Sequence, residues 1–178
     1  DWLRDEIDRV FERQGAGLFA DPWAARDDYI DVLLNRTPER VAEWCTRHAR
    51  RSLSPGEQVA ALKLLEMQQH RLLMFTSCGW FFDELSGLEG VQILRYAARA
   101  LELAAACGLE LEAGFVERLR RAPSNLPELG DGARVYAQKV KPARAGFPRA
   151  VANQAICAIL EHGQSCPEPA AFSLSRTD

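Results

Sequence analysis

The chain has 178 residues, enough for one domain that buries about 70% of the surface its unfolded form would expose. Ala and Leu supply 48 residues against 18 for Val, Ile and Thr, which favours helix over a sandwich, a barrel or a parallel sheet. A formal net charge of −3 provides no footprint for nucleic acid or anionic membrane, and no apolar run reaches the ~18 residues of a membrane span.

Helix signals follow one another along the chain. Trp2 to Gln14 carries Trp2, Leu3, Ile7, Val10 and Phe11 at helical spacing and is expected to stop at Gly15 and Gly17. Asp21-Pro22 pairs a capping side chain with a proline at the first helical position and opens a helix through Trp23, Tyr29, Ile30, Leu33 and Leu34. Thr37-Pro38 repeats the device before Val41, Trp44 and Cys45, and Ser54-Pro55-Gly56-Glu57 adds a capping box. The helix from Pro55 to about Thr76 is apolar on nearly all sides, as suits the middle of a bundle. Ser86-Gly87-Leu88-Glu89 reads as a second capping box, before a helix through Val91, Leu94, Ala97, Ala98, Leu101 and Ala105 that ends at Gly108. These two helices, about 55–76 and 87–107, predict a central antiparallel hairpin. A short helix over Leu111–Arg121, a loop over Pro123–Gly130, and helices over Asp131–Lys141 and Val151–Glu161 complete the series. The expectation is an all-α bundle of about seven helices, with a helical domain over 1–163 and a linker or frayed tail over 164–178.

Few residues announce chemistry. The five cysteines are scattered and include no CxxC pair, which argues against a disulfide framework or zinc site and for a reducing, cytoplasmic setting. Arg47, His48, Arg50 and Arg51 fall at a predicted helix end, where cations complement the dipole and face solvent. Glu66 and His70 lie four apart on one face of the apolar central helix. Such a pair serves as an acid/base couple or half a metal site, or else as a core hydrogen bond or a partner for a neighbouring Arg. No further ligands accompany it, so no metal and no cofactor are expected.

The most unusual stretch is Met74-Phe75-Thr76-Ser77-Cys78-Gly79-Trp80-Phe81-Phe82-Asp83-Glu84. Three consecutive aromatics cannot all face one way, so at least one is expected to look away from the core. Rings beside carboxylates suit a sugar-binding surface. The other reading has the aromatics plug the end of the bundle while Asp83 or Glu84 caps a helix. Asp83 and Glu84 are adjacent, which denies them the ~5–9 Å opposed geometry of a glycosidase pair. Cys78 lacks an identifiable His or Asn partner, and no catalytic residue is assigned.

The run Leu64–Ala104, LLEMQQHRLLMFTSCGWFFDELSGLEGVQILRYAARALELA, resembles the C-terminal helical region, domain of unknown function 3536, of glycoside hydrolase family 57-like proteins. LFADPWAARDDYIDVLLNR at Leu18–Arg36 and GDGARVYAQKVKPAR at Gly130–Arg144 extend the resemblance. It implies a piece that follows a (β/α)-barrel in a longer chain; the Asp1 start, without Met, fits that expectation. The family's Glu nucleophile and Asp acid/base belong to the barrel and have no counterpart here. By the same resemblance, Trp80 and Asp83 would contact an α-linked glucan, with Glu66 and His70 supporting from behind. The expected partners are the barrel of the same parent chain and the glucan, with self-association through an exposed apolar docking face. The first alternative is a protein-interaction or purely structural bundle without sugar contact. The second is a small independent enzyme that uses Glu66 and His70.

Overall fold

A computed structural model describes residues 1–144, 151, 152, 155 and 156. The fold is an all-α bundle, and nine α-helices occur between Trp2 and Val135. They are α1 (Trp2–Leu18), α2 (Pro22–Asp27), α3 (Ile30–Leu34), α4 (Pro38–His48), α5 (Pro55–Leu73), α6 (Cys78–Phe81), α7 (Leu88–Ala106), α8 (Glu112–Leu119) and α9 (Gly132–Val135). The chain divides into a compact unit, Asp1–Pro142, and a second unit, Ala143–Asp178. Of the expected last helix, residues 151, 152, 155 and 156 are described and helical; its remainder, and the 163/164 boundary, lie outside the described residues.

The three proline-marked starts form as the sequence dictates. The Asp21 carboxylate accepts from the N–H groups of Trp23 (2.9 Å) and Ala24 (3.1 Å), and the Thr37 hydroxyl accepts from that of Arg40 at 3.3 Å. At α5 the reciprocal box is complete: Ser54 Oγ accepts from the Glu57 N–H, and the Glu57 carboxylate accepts from the Ser54 N–H at 2.8 Å. Each cap satisfies donors that the first helical turn leaves open, and the proline that follows needs no donor partner.

Elsewhere the local signals lose to packing. α1 runs through Gly15 to Leu18, because Gly15 is buried and a side chain there would press on Pro22 and Phe19. Here glycine permits a close approach and does not end the helix. The helix after Asp21 splits at Asp28–Tyr29 into α2 and α3. The split turns the Tyr29 ring edge-on to Trp44 (6.0 Å) and leaves Asp28 outside to meet His48 (3.0 Å) and Arg47 (3.6 Å). α5 is not buried all round: Ala61, Leu64, Leu65, Met67 and Gln68 are inside, whereas Val59 and Leu72 are about half exposed. The box expected at Ser86 does not form, since Gly87 occupies the cap position and the Ser86 N–H and carbonyl are engaged elsewhere. The helix expected over 131–141 is α9 followed by a wider π turn over Tyr136–Val140 and a 3-10 turn over Lys141–Ala143.

α5 and α7 form the central antiparallel hairpin, and α1 lies along α5. The seam between α7 and its neighbours is alanine-rich: Ala97, Ala98, Ala100 and Ala104 are buried beside Leu94, Leu101 and Leu103. Across the α1–α5 contact, Asp8 accepts from Gln68 Nε2 (3.0 Å) and pairs with Arg71 (2.5 Å). The aromatic part of the core sits among α1–α4, where Trp44 is buried edge-on to Phe19 at 5.7 Å and stacks beside His48. Short antiparallel pairing closes it: Ala20 N–H donates to the His48 carbonyl and Arg50 N–H to that of Leu18, both at 2.9 Å. The basic cluster faces solvent, with Arg47, Arg50 and Arg51 exposed, and each of its members also has a partner within the chain. Arg47 and His48 meet α2–α3 carboxylates, Arg50 donates to the Ala16 carbonyl, and Arg51 grips Glu57.

Candidate functional site

The unusual aromatic segment forms the turn of the central hairpin, between the end of α5 and the start of α7. Two glycines make the turn possible. A Cβ at Gly79 would collide with the Ile93 side chain of α7, so glycine lets α6 lie on that helix. A Cβ at Gly90 would strike the Leu85 carbonyl, so the turn can close against the first turn of α7. Phe82 leaves α6 in extended conformation (φ −105°, ψ 144°), which sends successive side chains to opposite sides. Phe81 is 83% exposed and Phe82 54%, their rings edge-to-face at 5.2 Å. Asp83 is exposed beside them. Leu72 and Phe75 on the way out of α5, and Leu88 on the way into α7, are also exposed at this end of the hairpin.

What holds this segment is Glu84. Its Oε1 accepts from the Ser86 N–H and the Ser124 hydroxyl, each at 2.8 Å, and its Oε2 accepts from the Asn125 N–H at 2.7 Å. The Asn125 side-chain amide donates to the Asp83 carbonyl at 2.8 Å, and Lys139 Nζ donates to the Ser86 carbonyl at 2.9 Å. The Ser86 N–H contributes most to stabilising the ionised carboxyl, with further help from Ser124 and Asn125. The Glu84 pKa is thereby lowered to about 2. The partner loop, Pro123–Gly130, is closed on itself by Ser124 N–H to Gly130 carbonyl (3.0 Å) and carries the exposed Leu126. Sequence reasoning read Ser124 and Asn125 only as part of the Pro123–Gly130 loop and missed Lys139. The available signal was the turn chemistry of Ser124-Asn125, which says nothing of a partner some forty residues upstream.

The other sequence-predicted residues lie as follows. Trp80 is on α6, and its side chain is outside the described part of the molecule. Glu66, on α5, pairs with Arg36 at 2.6 Å. His70, one turn further on, packs its ring on Tyr96 (6.2 Å) and has a buried Nδ1 without a hydrogen-bond partner among the described residues. Burial lowers the His70 pKa, and Arg99 adds to this, while Glu66 and Glu102 oppose it. No hydrogen bond joins Glu66 to His70, or either to the aromatic segment, among the described residues. An open cleft on α8 is lined by Glu112, Ala113, Val116, Glu117, Arg120 and Lys141. Its cations are paired, Arg120 with Glu117 and Lys141 with Glu112. No group of three or more His, Cys, Asp or Glu suited to a metal ion occurs among the described residues.

The model of one family, Domain of unknown function (DUF3536), matches residues 1–178. The chain belongs to the DUF3536 family. No curated protein and no solved structure matches it. For this DUF3536 chain the arrangement at the hairpin turn is therefore the main guide to chemistry: two exposed rings beside a carboxylate, on a backbone pinned by an ionised glutamate. No helix among the described residues is long and apolar enough to cross a membrane.

Proposed function

We propose that the chain is a non-catalytic helical accessory region of a glycoside hydrolase family 57-like protein. It packs on a (β/α)-barrel of the same parent chain and lines the α-glucan cleft with its Trp80–Asp83 segment. The observation that carries the reading is the exposure of Phe81 and Phe82 beside Asp83 on an anchored backbone. Ring faces stack on pyranose C–H groups, and a carboxylate accepts from sugar hydroxyls. The resemblance of Leu64–Ala104 to the helical region of such proteins supports the same reading. Free thiols at Cys45, Cys78 and Cys107 agree with a cytoplasmic setting.

The test is turnover of the full-length parent on a panel of α-glucans, with Trp80→Ala, Phe81→Ala and Asp83→Asn. A selective loss on longer glucans is expected. Unchanged turnover by all three variants on every substrate used would remove the segment from the sugar site. A second reading, a protein-docking end, is favoured by Leu72 and Leu88, exposed aliphatic side chains that sugars seldom use. It predicts concentration-dependent self-association of the isolated chain, relieved by Leu88→Ser.

A further inference from the structure

The Phe82–Gly87 stretch is not regular structure, yet it must hold Phe81, Phe82 and Asp83 in one arrangement if they are to act together. Its own backbone supplies little of that order. The Pro123–Gly130 loop, in contrast, is closed by its own hydrogen bonds and by an antiparallel bridge between Pro123 and Asp131. Glu84 joins the two, with one carboxylate oxygen on Ser86 and Ser124 and the other on Asn125. Those same contacts occupy both oxygens of the carboxylate, so Glu84 is poorly placed to meet a ligand itself.

We propose that Glu84 is the positioning residue of the aromatic site: it fixes the Phe81–Asp83 segment against the Pro123–Gly130 loop, so that the two exposed rings and the Asp83 carboxylate keep one arrangement toward a ligand. The ligand part of this inference rests on the glucan reading above. Glu84→Gln keeps size and one acceptor oxygen but sets an NH₂ against the Asn125 N–H, donor against donor. Glu84→Ala removes every contact of the carboxylate and leaves only the Asn125 amide on the Asp83 carbonyl to join the two segments, and Ser124→Ala removes one contact while leaving the charge in place.

The experiment follows amide hydrogen exchange of the isolated chain together with titration by maltoheptaose. In Glu84→Gln, amides of 82–87 and 124–126 should exchange about tenfold faster or more, the scale of a lost hydrogen bond to a charged group. Ser124→Ala should show a smaller rise at the same amides, and buried α7 amides such as Leu94–Leu101 should be unchanged in both. Maltoheptaose should bind Glu84→Gln at least several-fold more weakly than wild type. Wild-type exchange at 82–87 and 124–126 in both Glu84 variants would overturn the proposal, as would faster exchange with unaltered maltoheptaose affinity. If wild type binds no maltoheptaose while the two segments loosen together, the positioning role stands and the glucan reading fails. Ser124→Ala keeps the comparison readable should Glu84→Ala fail to fold.

Discussion

At Gly90 a methyl group has no free space, since the Leu85 carbonyl already occupies it, and a carbonyl cannot rotate away as a side chain can. Gly90→Ala should therefore destabilise by about 1–3 kcal/mol, the ordinary cost of overpacking, although alanine is the better helix former. Urea unfolding measures it, and a gain in stability would show that the turn yields at no cost. Trp44 is the opposite case, a large side chain enclosed by Phe19, Tyr29 and His48. Trp44→Ala should cost about 3–5 kcal/mol by leaving a cavity that rings on three sides cannot collapse to fill. A loss below about 1 kcal/mol would mean that the α1–α4 core repacks freely.

Among the elements, the most legible feature is the set of helix starts. Ser54, Pro55 and Glu57 act on one another over three residues, so their pattern carries its own partner. Ser54→Ala should cost about 1 kcal/mol, read by thermal melting against a Gly56→Ala control at a position with open space around it. Equal melting temperatures for Ser54→Ala and wild type would make the capping box ornamental. The Ser86–Glu89 pattern looks the same along the chain and fails because Glu84 and Lys139 capture the Ser86 backbone. Locally the two differ in Pro55 against Gly87 and in the competing acceptor Glu84 two residues before Ser86, whereas Lys139 lies far along the chain. Likewise Gly15 reads as a stop signal but serves a close contact with Pro22, seven residues away. The fold class and the hairpin were legible because helical periodicity and capping are local. The clasp around Glu84 was not, because its halves lie some forty residues apart and meet only in the packed fold. The Glu66–His70 spacing was legible, but Arg36, which takes up Glu66, lies thirty residues earlier.

Over the whole molecule, the shifted groups combine into one pH profile. Glu57 and Glu84 both have pKa values lowered to about 2, Glu57 chiefly through Arg51 and Glu84 chiefly through the Ser86 N–H. A lowered carboxyl contributes stability above its unfolded value of 4.5 and loses it as pH falls toward 2. His70, lowered by burial from 6.5, has the same sign: the unfolded chain takes up the proton first, so stability falls as pH drops below 6.5. At the alkaline end the signs reverse. Burial raises the thiols of Cys45 and Cys107 above 9.0 and the Tyr29 hydroxyl from 10.0 to about 12, so the unfolded chain ionises first and stability falls above pH 9. The expected profile is a plateau between roughly pH 6.5 and 9, with a first acid step from His70 and a later one from the carboxylates. Urea midpoints from pH 3 to 11 trace it, and His70→Gln should flatten the first step while leaving the second. A stability maximum near pH 5, or an unaltered first step in His70→Gln, would show that the half-buried His70 accepts its proton without penalty. In that case its contact with Tyr96 would not need a neutral ring.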